Sequence, residues 1–336
     1  MITAYALRDG RVHDVRLEPG QDVPESTVWI DLLQPEEEER NYISKALSLD
    51  LPTLSEMEEI EASSRLYLEG DALFMTTSIL SAAESIHPTV DDLTIVITPT
   101  HMLTVRFCKP RALDTFAFRI RRQPDMLATS VDAALCMLDA VADRTADILE
   151  YVAHQIDDLS TEIFQQNADH ALEQKKKHQL TPRYHGKWLD TAMRGLSQSG
   201  DMIHKIRECL NGMLRLQVFM DTNFLGRLTK EQSSRIRTLD TDLRSLSDHA
   251  QFLAHETTFL LDAVLGLISI EQNNIIKIFS VAAAAFLPPT LIASIYGMNF
   301  RHMPELEQPW AYPLALVVIA LSAVVPVWLF KRKGWL

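Results

Sequence analysis

Charge is missing from two long stretches near the C-terminal end of this 336-residue sequence. Residues 278–300 and 309–330, which are 23 and 22 residues long, contain no Asp, Glu, Lys or Arg. An uncharged stretch of this length crosses the roughly 30 Å hydrocarbon core of a bilayer as a helix, and buried helices of soluble proteins are seldom so long. We therefore predict two transmembrane helices; a pair of core helices in a soluble protein is the alternative.

Cysteine and catalytic motifs are also scarce. Cys108, Cys136 and Cys209 are widely spaced without a CxxC pair, which favours reduced thiols in a cytosolic compartment over a disulfide framework or a zinc site. The sequence has no phosphate loop, aspartyl-phosphate motif, GxGxxG or HExxH, so it predicts no ATP hydrolysis, no dinucleotide and no enzyme. A net charge of -13 disfavours nucleic acid as a partner and is compatible with the attraction of cations.

The ends of the sequence predict its orientation. Residues 1–40 have no apolar segment of the kind found in a secretory signal, so we expect the N-terminal region to stay in the cytoplasm. The tail 331–336 is basic, whereas the connector 301–308 carries one Arg against Glu305 and Glu307. The excess of positive charge on cytoplasmic loops then places both termini in the cytoplasm of an inner-membrane protein.

The first 124 residues combine strand and helix patterns. Residues 27–33, 65–68, 93–97 and 102–107 are typical of strands, and the turn residues at 69–71 and 99–101 each predict a hairpin. Pro35 followed by four Glu predicts the start of one helix, and residues 55–62 predict a second. We expect an α+β cytoplasmic domain over 1–124.

Long helices follow, because Pro182 is the only proline between Pro124 and Pro288. Residues 125–227 predict two antiparallel helical arms with a basic loop at 175–187. Near-heptad apolar residues then predict one helix from about 228 to 295, with a stalk at 228–277 and most of the first span, 278–300, at its end. That seam consists of Leu239, Leu243, Leu246, Leu253, Leu260, Leu267 and Ile270.

One face of the first predicted span is polar at both ends and apolar in the middle. It comprises Asn273, Ile276, Ser280, Ala283, Leu287, Thr290 and Ser294, with Phe279 beside it. Such a face suits a hydrated cation path with an apolar constriction, whereas helix packing is the alternative for its small residues. Because two helices cannot enclose a water-filled path, a pore requires several copies of the chain.

The first span ends in the motif Tyr296-Gly297-Met298-Asn299-Phe300, which His302-Met303-Pro304-Glu305 follows. Neutral amide oxygens of Asn299, one from each copy, suit hydrated Mg2+, because this ion gives up its water reluctantly and must still be released. Gly297 predicts a sharp turn at the helix end. An ordinary C-terminal helix cap is the alternative for Gly-Met-Asn.

YGMNF with a trailing MPE resembles the signature of the CorA magnesium transporter family. Residues 270–280, the long stalk helix, the two spans and the basic tail are also similar to that family's layout, so the resemblance covers nearly the whole chain. It implies a pentameric Mg2+ channel that also passes Co2+ and Ni2+, with Gly297, Met298 and Asn299 as the external filter. It further implies a second polar ring at Asn273, a pore-facing Thr290, and a hydrophobic gate at Ile276 and Phe279.

The resemblance also implies that divalent ions are sensed at acidic subunit interfaces. The candidates are Asp91 and Asp92 in the N-terminal domain and Asp240 and Asp242 on the stalk, with Asp248 nearby. Mg2+ bound between subunits would hold a closed state, and its loss would let the subunits separate. Solvated surface carboxylates are the alternative.

The sequence therefore predicts a homo-oligomeric inner-membrane channel in contact with lipid, with Mg2+ as both cargo and regulator and the membrane potential as the driving force. A zinc transporter of the same superfamily is one alternative, which the absence of a His or Cys cluster near the spans disfavours. A membrane-anchored sensor or scaffold is another. A pure anchor has no need of polar residues such as Ser280, Thr290 and Asn299 on one face.

Overall fold

The computed structural model describes residues 1–59, 61–85, 88–176, 186–224, 228–298 and 308–333. These residues form two compact units. The first comprises Met1–Leu159 and Gly195–Thr258, and the second comprises Ser160–Arg194 and Phe259–Leu336.

A seven-stranded sheet organises the first unit, in the order β2-β1-β3-β7-β6-β5-β4. All neighbours are antiparallel except β3 and β7, which are parallel. The strands are β1 (Ile2–Arg8), β2 (Arg11–Leu17), β3 (Thr27–Leu33), β4 (Leu66–Glu69), β5 (Ala72–Ser81), β6 (Thr89–Ile97) and β7 (Met102–Arg106). The two predicted hairpins are confirmed, since β4 pairs with β5 across residues 70–71 and β6 pairs with β7 across residues 98–101.

Eight α-helices and one 3-10 turn are present in the described residues. They are α1 (Glu37–Leu47), α2 (Leu54–Met57), α3 (Ala62–Arg65), α4 (Arg111–Arg122), the 3-10 turn Pro124–Leu127, α5 (Ser130–Lys176), α6 (Gly186–Asn223), α7 (Lys230–Tyr296) and α8 (Ala311–Arg332). The prediction of a single helix at 55–62 is wrong, because α2 ends at Met57 and α3 begins at Ala62. Four glutamates between 56 and 61 repel one another at three-residue spacing, which disfavours a continuous helix.

Helices cover both faces of the sheet in this unit. On one face Ile30, Phe74 and Val96 share a buried apolar cluster with Ile43 of α1 and Met57 of α2. On the other face the Trp29 ring packs against Phe116 of α4, with the ring centroids 4.9 Å apart. The close approach of α6 to β5 on that face depends on a glycine, since a Cβ at Gly212 would lie 2.6 Å from Thr77 Oγ1.

The first part of α7 is fixed to α5 by polar contacts. Gln232 Nε2 donates to Asp132 Oδ1 at 3.0 Å, and Arg235 Nη2 donates to Asp139 Oδ2 at 2.7 Å. Desolvation raises the pKa of the Asp139 carboxyl in spite of the guanidinium of Arg235. These contacts hold the start of the long helix in the first unit, which we call the N-terminal unit.

The predicted long helix is confirmed, because α7 runs without a break for 67 residues and includes Pro288 and Pro289. Four leucines of the predicted seam, at 239, 243, 253 and 260, are almost fully buried, whereas Ile270 is exposed. The buried part of the predicted seam therefore ends before Ile270.

Most of each apolar stretch lies in a helix long enough to cross a bilayer, the first in the C-terminal part of α7 and the second in α8. A core helix of a soluble protein would be mostly buried, but only 6% of the most apolar window of α7 is buried and none of that of α8. The apolar surface of these helices thus lies outside any core of the chain, as expected for helices in contact with lipid or with other copies.

Candidate functional site

The residues predicted to line an ion path share one exposed face of α7. Phe279 is 71% exposed, Leu287 67% and Ile276 61%. The other predicted members of this face are exposed as well: Asn273, Ser280, Ala283, Thr290 and Ser294. The opposite side of the helix is covered, since Val281 is 8% exposed and Ala282 and Ala285 are half-buried. This face of α7 is therefore available to water, lipid or another copy of the chain.

Two hydroxyl groups on this face, those of Ser280 and Thr290, donate to carbonyl groups of α7 itself. Ser280 Oγ donates to the Ile276 carbonyl at 2.8 Å, and Thr290 Oγ1 donates to the Phe286 carbonyl at 2.7 Å. Each hydroxyl thereby donates its proton to a carbonyl of the same helix, and its oxygen can still accept hydrogen bonds. Acceptors without a competing donor suit the water shell of a cation.

A groove of about 520 Å³ lies at the start of the face. Its lining consists of Ile270, Asn273, Asn274, Ile276, Lys277 and Ser280. Sequence reasoning found Asn273, Ile276 and Ser280 but missed Asn274 and Lys277. Both residues could have been identified from the sequence. Asn274 directly follows Asn273 and carries the same amide group, and Lys277 is the last charged residue before the apolar stretch. The groove combines neutral amide and hydroxyl oxygens with one ammonium group.

The helix α7 ends at Tyr296, and Gly297 follows as a turn residue. The backbone of Gly297 is not left-handed, since Gly297 is not among the glycines with positive φ. Its N–H instead donates to the Ala293 and Ser294 carbonyls at 3.0 and 3.2 Å, and the Met298 N–H donates to the Ile295 carbonyl at 3.2 Å. The helical hydrogen bonds thus extend past Tyr296, and Asn299 lies outside the described residues.

The two aspartates of β6 are placed apart. Successive residues of a strand point to opposite faces of a sheet, so Asp91 and Asp92 cannot share an ion within one chain. Asp92 pairs with the guanidinium of Arg65 and accepts from Ser78 Oγ at 3.1 Å, whereas Asp91 accepts from Thr89 Oγ1 at 3.0 Å. The structure therefore gives Asp92 a cationic partner from its own chain.

The two aspartates of α7 are also separated. Both carboxylate oxygens of Asp240 accept from Arg244 Nε, at 3.0 and 2.9 Å, one turn further along the helix. Asp242 is exposed and points about 200° away around the helix axis, at roughly 100° per residue. Within the ranges that the structure describes, one chain brings no three His, Cys, Asp or Glu side chains together as a metal site.

The domain and the two apolar helices together define a class of protein. An α/β domain carries a helix that becomes apolar and exposed over its last turns, and a second apolar helix follows after a short connection. This is the architecture of a membrane protein with two C-terminal transmembrane helices.

The family model of the CorA-like Mg2+ transporter protein matches residues 24–182 and 183–332. The chain belongs to this family. It is 34% identical over 337 residues to a magnesium transport protein CorA of Pasteurella multocida and 32% identical over 336 residues to that of Escherichia coli K12, and each alignment covers 100% of both chains. The complete structure of the CorA magnesium transporter from Methanocaldococcus jannaschii superposes with a TM-score of 0.73 at 19% identity, covering 100% of this chain and 99% of that one.

The comparisons confirm the resemblance found in the YGMNF motif and the predicted fold class. They also confirm that the chain is not an enzyme, since members of this family are channels or transporters. Magnesium transport is the activity named for the curated relatives.

Proposed function

We propose that the chain is one subunit of a homo-oligomeric channel that conducts Mg2+ into the cytoplasm. The observation that carries this proposal is the exposed face of α7, on which Asn273, Ser280, Thr290 and Ser294 interrupt an otherwise apolar surface. Lipid alone gives no reason for polar residues on one face of a span, whereas a water-filled axis does. Membership of a family whose named relatives are magnesium transport proteins supports Mg2+ as the cargo.

The pore in this proposal lies on the symmetry axis of several copies. One α7 from each copy turns its exposed face to the axis, with Ile276, Phe279 and Leu287 forming the apolar constriction and Asn273 the polar ring at its start. Asn299, with Gly297 and Met298, forms the filter at the other end. Five copies are the number that the resemblance implies, with Co2+ and Ni2+ as further cargo.

The orientation places both termini in the cytoplasm of an inner membrane. The basic residues at the C-terminal end of α8 support this arrangement, because positive charge is retained on the cytoplasmic side. An inside-negative potential then drives a doubly charged ion inward with about 4.6 kcal/mol per 100 mV, at about 2.3 kcal/mol per charge.

Mg2+ influx into proteoliposomes under an inside-negative potential tests the pore. Wild type and Asn299→Ala are compared at equal oligomer size, as measured by size-exclusion chromatography. We expect influx in wild type and its loss in the variant. No influx from correctly assembled wild-type protein at low internal Mg2+ would instead support a membrane-anchored scaffold, and stronger transport of Zn2+ than of Mg2+ would support a zinc transporter.

Regulation by internal Mg2+ is the second part of the proposal. Asp240 and Asp242 would contribute, with Asp91 and Asp92 of another copy, to ion sites between subunits that hold a closed state. The double substitution Asp240→Asn and Asp242→Asn should weaken inhibition of influx by internal Mg2+. The exposed Asp201, which pairs with Lys205 on α6 at 2.5 Å, supplies a matched control as Asp201→Asn. Unchanged inhibition in the double variant removes these carboxylates from the mechanism.

A further inference from the structure

The last turn of α8 holds an aromatic ring and a guanidinium group in contact. The guanidinium carbon of Arg332 lies 5.6 Å from the ring centroid of Trp328, one helical turn earlier. Lys331 and Lys333 flank Arg332, and within the described part of the chain none of these three cations forms an ion pair. Three cations without carboxylate partners are therefore concentrated where the apolar helix ends.

This pair belongs to the outward face of α8. Trp328 is 55% exposed and continues a row of exposed apolar side chains that includes Val317, Leu321 and Val324. Arg332 follows at the next four-residue step and is exposed as well. A side chain in this position reaches the boundary between hydrocarbon and water, where Trp and Arg are favoured.

The two ends of α8 differ in charge. Trp310 and Tyr312 are exposed at the first end, as Trp328 is at the second. Trp310 and Trp328 lie about 27 Å apart along a helix that rises about 1.5 Å per residue, close to the roughly 30 Å of a hydrocarbon core. Residues 308–330, however, contain no Lys or Arg near Trp310 and Tyr312. Within the described part of α8, only the C-terminal end therefore combines an aromatic ring with positive charge.

Charge at a helix C-terminus has an ordinary explanation, since cations there interact favourably with the helix dipole. The dipole does not require the guanidinium to lie against an exposed ring. The contact keeps the guanidinium near the ring and leaves N–H groups for a partner, and a guanidinium edge matches two phosphate oxygens better than an ammonium does.

We propose that Trp328 and Arg332, assisted by Lys331, bind the phosphate of an anionic phospholipid in the cytoplasmic leaflet. The indole packs against the upper acyl chain and glycerol, the guanidinium binds the phosphodiester, and the neighbouring ammonium favours a headgroup with net negative charge. The site depends on the proposed function only in that α8 crosses the membrane with its C-terminal end in the cytoplasm.

Lipid binding to the delipidated full-length protein in detergent tests this site. Native mass spectrometry follows titrations with short-chain phosphatidylglycerol, phosphatidylcholine and inorganic phosphate. We expect phosphatidylglycerol to bind about fivefold more tightly than phosphatidylcholine, which corresponds to about 1 kcal/mol for one interfacial cation. Arg332→Gln and Trp328→Ala should remove that preference, and Arg332→Lys should retain part of it because the charge remains.

Two substitutions serve as matched controls. Trp310→Ala removes the ring at the uncharged end, and Lys333→Gln removes a cation for which no contact with the Trp328 ring is found, so both should keep most of the preference. If Arg332→Gln does not assemble, the comparison between Arg332→Lys and Lys333→Gln decides.

Equal affinity of wild type for the two lipids, or unchanged affinity in the assembled Arg332 variant, would overturn the site. Inorganic phosphate that binds as tightly as phosphatidylglycerol would overturn it too, since the site would then recognise a free anion. Because binding is measured without ion transport, loss of the proposed channel activity and loss of this site are separate outcomes.

Discussion

Asp31 of β3 and Arg106 of β7 form a bidentate ion pair beneath the helices of the N-terminal unit. Arg106 Nε and Nη2 donate to Asp31 Oδ1 and Oδ2 at 3.0 and 2.7 Å, and the side chains are only 7% and 5% exposed for Arg106 and Asp31. Thr104 Oγ1 also donates to Asp31 Oδ1 at 2.7 Å, while Arg106 Nη1 donates to the Cys108 carbonyl at 2.9 Å. The pair thus joins the two parallel strands at the centre of the sheet.

Removing one member of this pair should be strongly destabilising. Asp31→Asn leaves the guanidinium of Arg106 buried without its counter-charge, a change that costs about 3–5 kcal/mol in buried pairs. We expect a clear fall in the melting temperature of the full-length protein, measured by tryptophan fluorescence. Trp29 contributes to that signal, and its Nε1 donates to Thr104 Oγ1 at 3.0 Å in the same network.

The surface pair between Arg121 and Asp14 is the control for this prediction. Its N–O distance is 3.2 Å and both side chains are nearly half exposed, so Asp14→Asn should cost at most about 1 kcal/mol. Similar melting temperatures for the two variants would mean that burial of the Asp31 pair has no energetic effect.

Gly212 should not tolerate alanine. The added Cβ would lie 2.6 Å from Thr77 Oγ1 and 3.4 Å from the Ser78 backbone nitrogen, so either the Thr77 side chain or α6 must shift. Overpacking of this kind costs about 1–3 kcal/mol. The double substitution Gly212→Ala with Thr77→Ala should recover part of the lost stability in thermal unfolding, because it removes Thr77 Oγ1, the atom with which the new Cβ would clash.

Gly200 on the same helix provides the matched comparison. A Cβ there meets only Thr257 Cγ2 at 3.7 Å, which is an ordinary contact. Gly200→Ala should be neutral or stabilising by up to about 1 kcal/mol, since alanine is favoured over glycine within a helix. If both alanine variants melt alike, the close approach at Thr77 is not a constraint.

The Tyr5 phenol makes the N-terminal unit sensitive to high pH. Tyr5 stacks on Trp29 with the ring centroids 4.1 Å apart, and burial, followed by the nearby Asp31 carboxylate, raises its pKa from 10.0 to about 12. The unfolded chain therefore releases this proton at lower pH than the folded chain does. The resulting stability is fully present below pH 10 and is lost as the pH rises from 10 to about 12.

Tyr5→Phe should remove this part of the pH dependence. Melting curves between pH 9 and about 12 should show wild type losing stability relative to Tyr5→Phe only above pH 10. Tyr151→Phe removes an exposed phenol and should follow wild type. A constant difference between wild type and Tyr5→Phe over the whole range would contradict the assignment.

Local patterns in the sequence predict much of this fold. Residues 27–33 coincide with β3, and the long proline-free apolar repeat predicts α7 to within two residues at each end. The Asp31–Arg106 pair was not predictable, because its members are 75 residues apart and meet only through the parallel pairing of β3 with β7. Strand alternation and helix periodicity are local signals, whereas such a pairing depends on the tertiary arrangement.

The candidate site also has some features that the sequence predicts and others that it does not. Three- and four-residue spacing predicts which residues share a face of α7, and all eight are exposed together. The spacing of residues does not predict the backbone conformation at Gly297. The structure of a single chain also does not show which residues of another copy lie opposite Asp240 and Asp92. The pairing of Asp92 with Arg65 depends on the tertiary arrangement. Asp240 and Arg244 are one helical turn apart, so their spacing in the sequence is enough to predict that ion pair.

Exposure in one chain does not distinguish a surface that faces water from one that faces lipid, and cysteine substitution can do so. The three native cysteines are buried, so we expect them to react little with a charged thiol reagent. We expect Ala283→Cys and Ser280→Cys on the proposed pore face to react from the aqueous side and to block Mg2+ influx, because a hydrated path would bring both reagent and ion to them.

Two further positions make the cysteine experiment decisive. Val281→Cys tests the covered side of α7, where the native side chain is 8% exposed, and Val317→Cys tests a position on α8 that is 54% exposed. Both should react slowly, the first because the chain covers it and the second because lipid surrounds it and excludes a charged reagent. If Ala283→Cys reacts no faster than Val317→Cys in the assembled protein, this face of α7 contacts lipid and the proposed pore lies elsewhere.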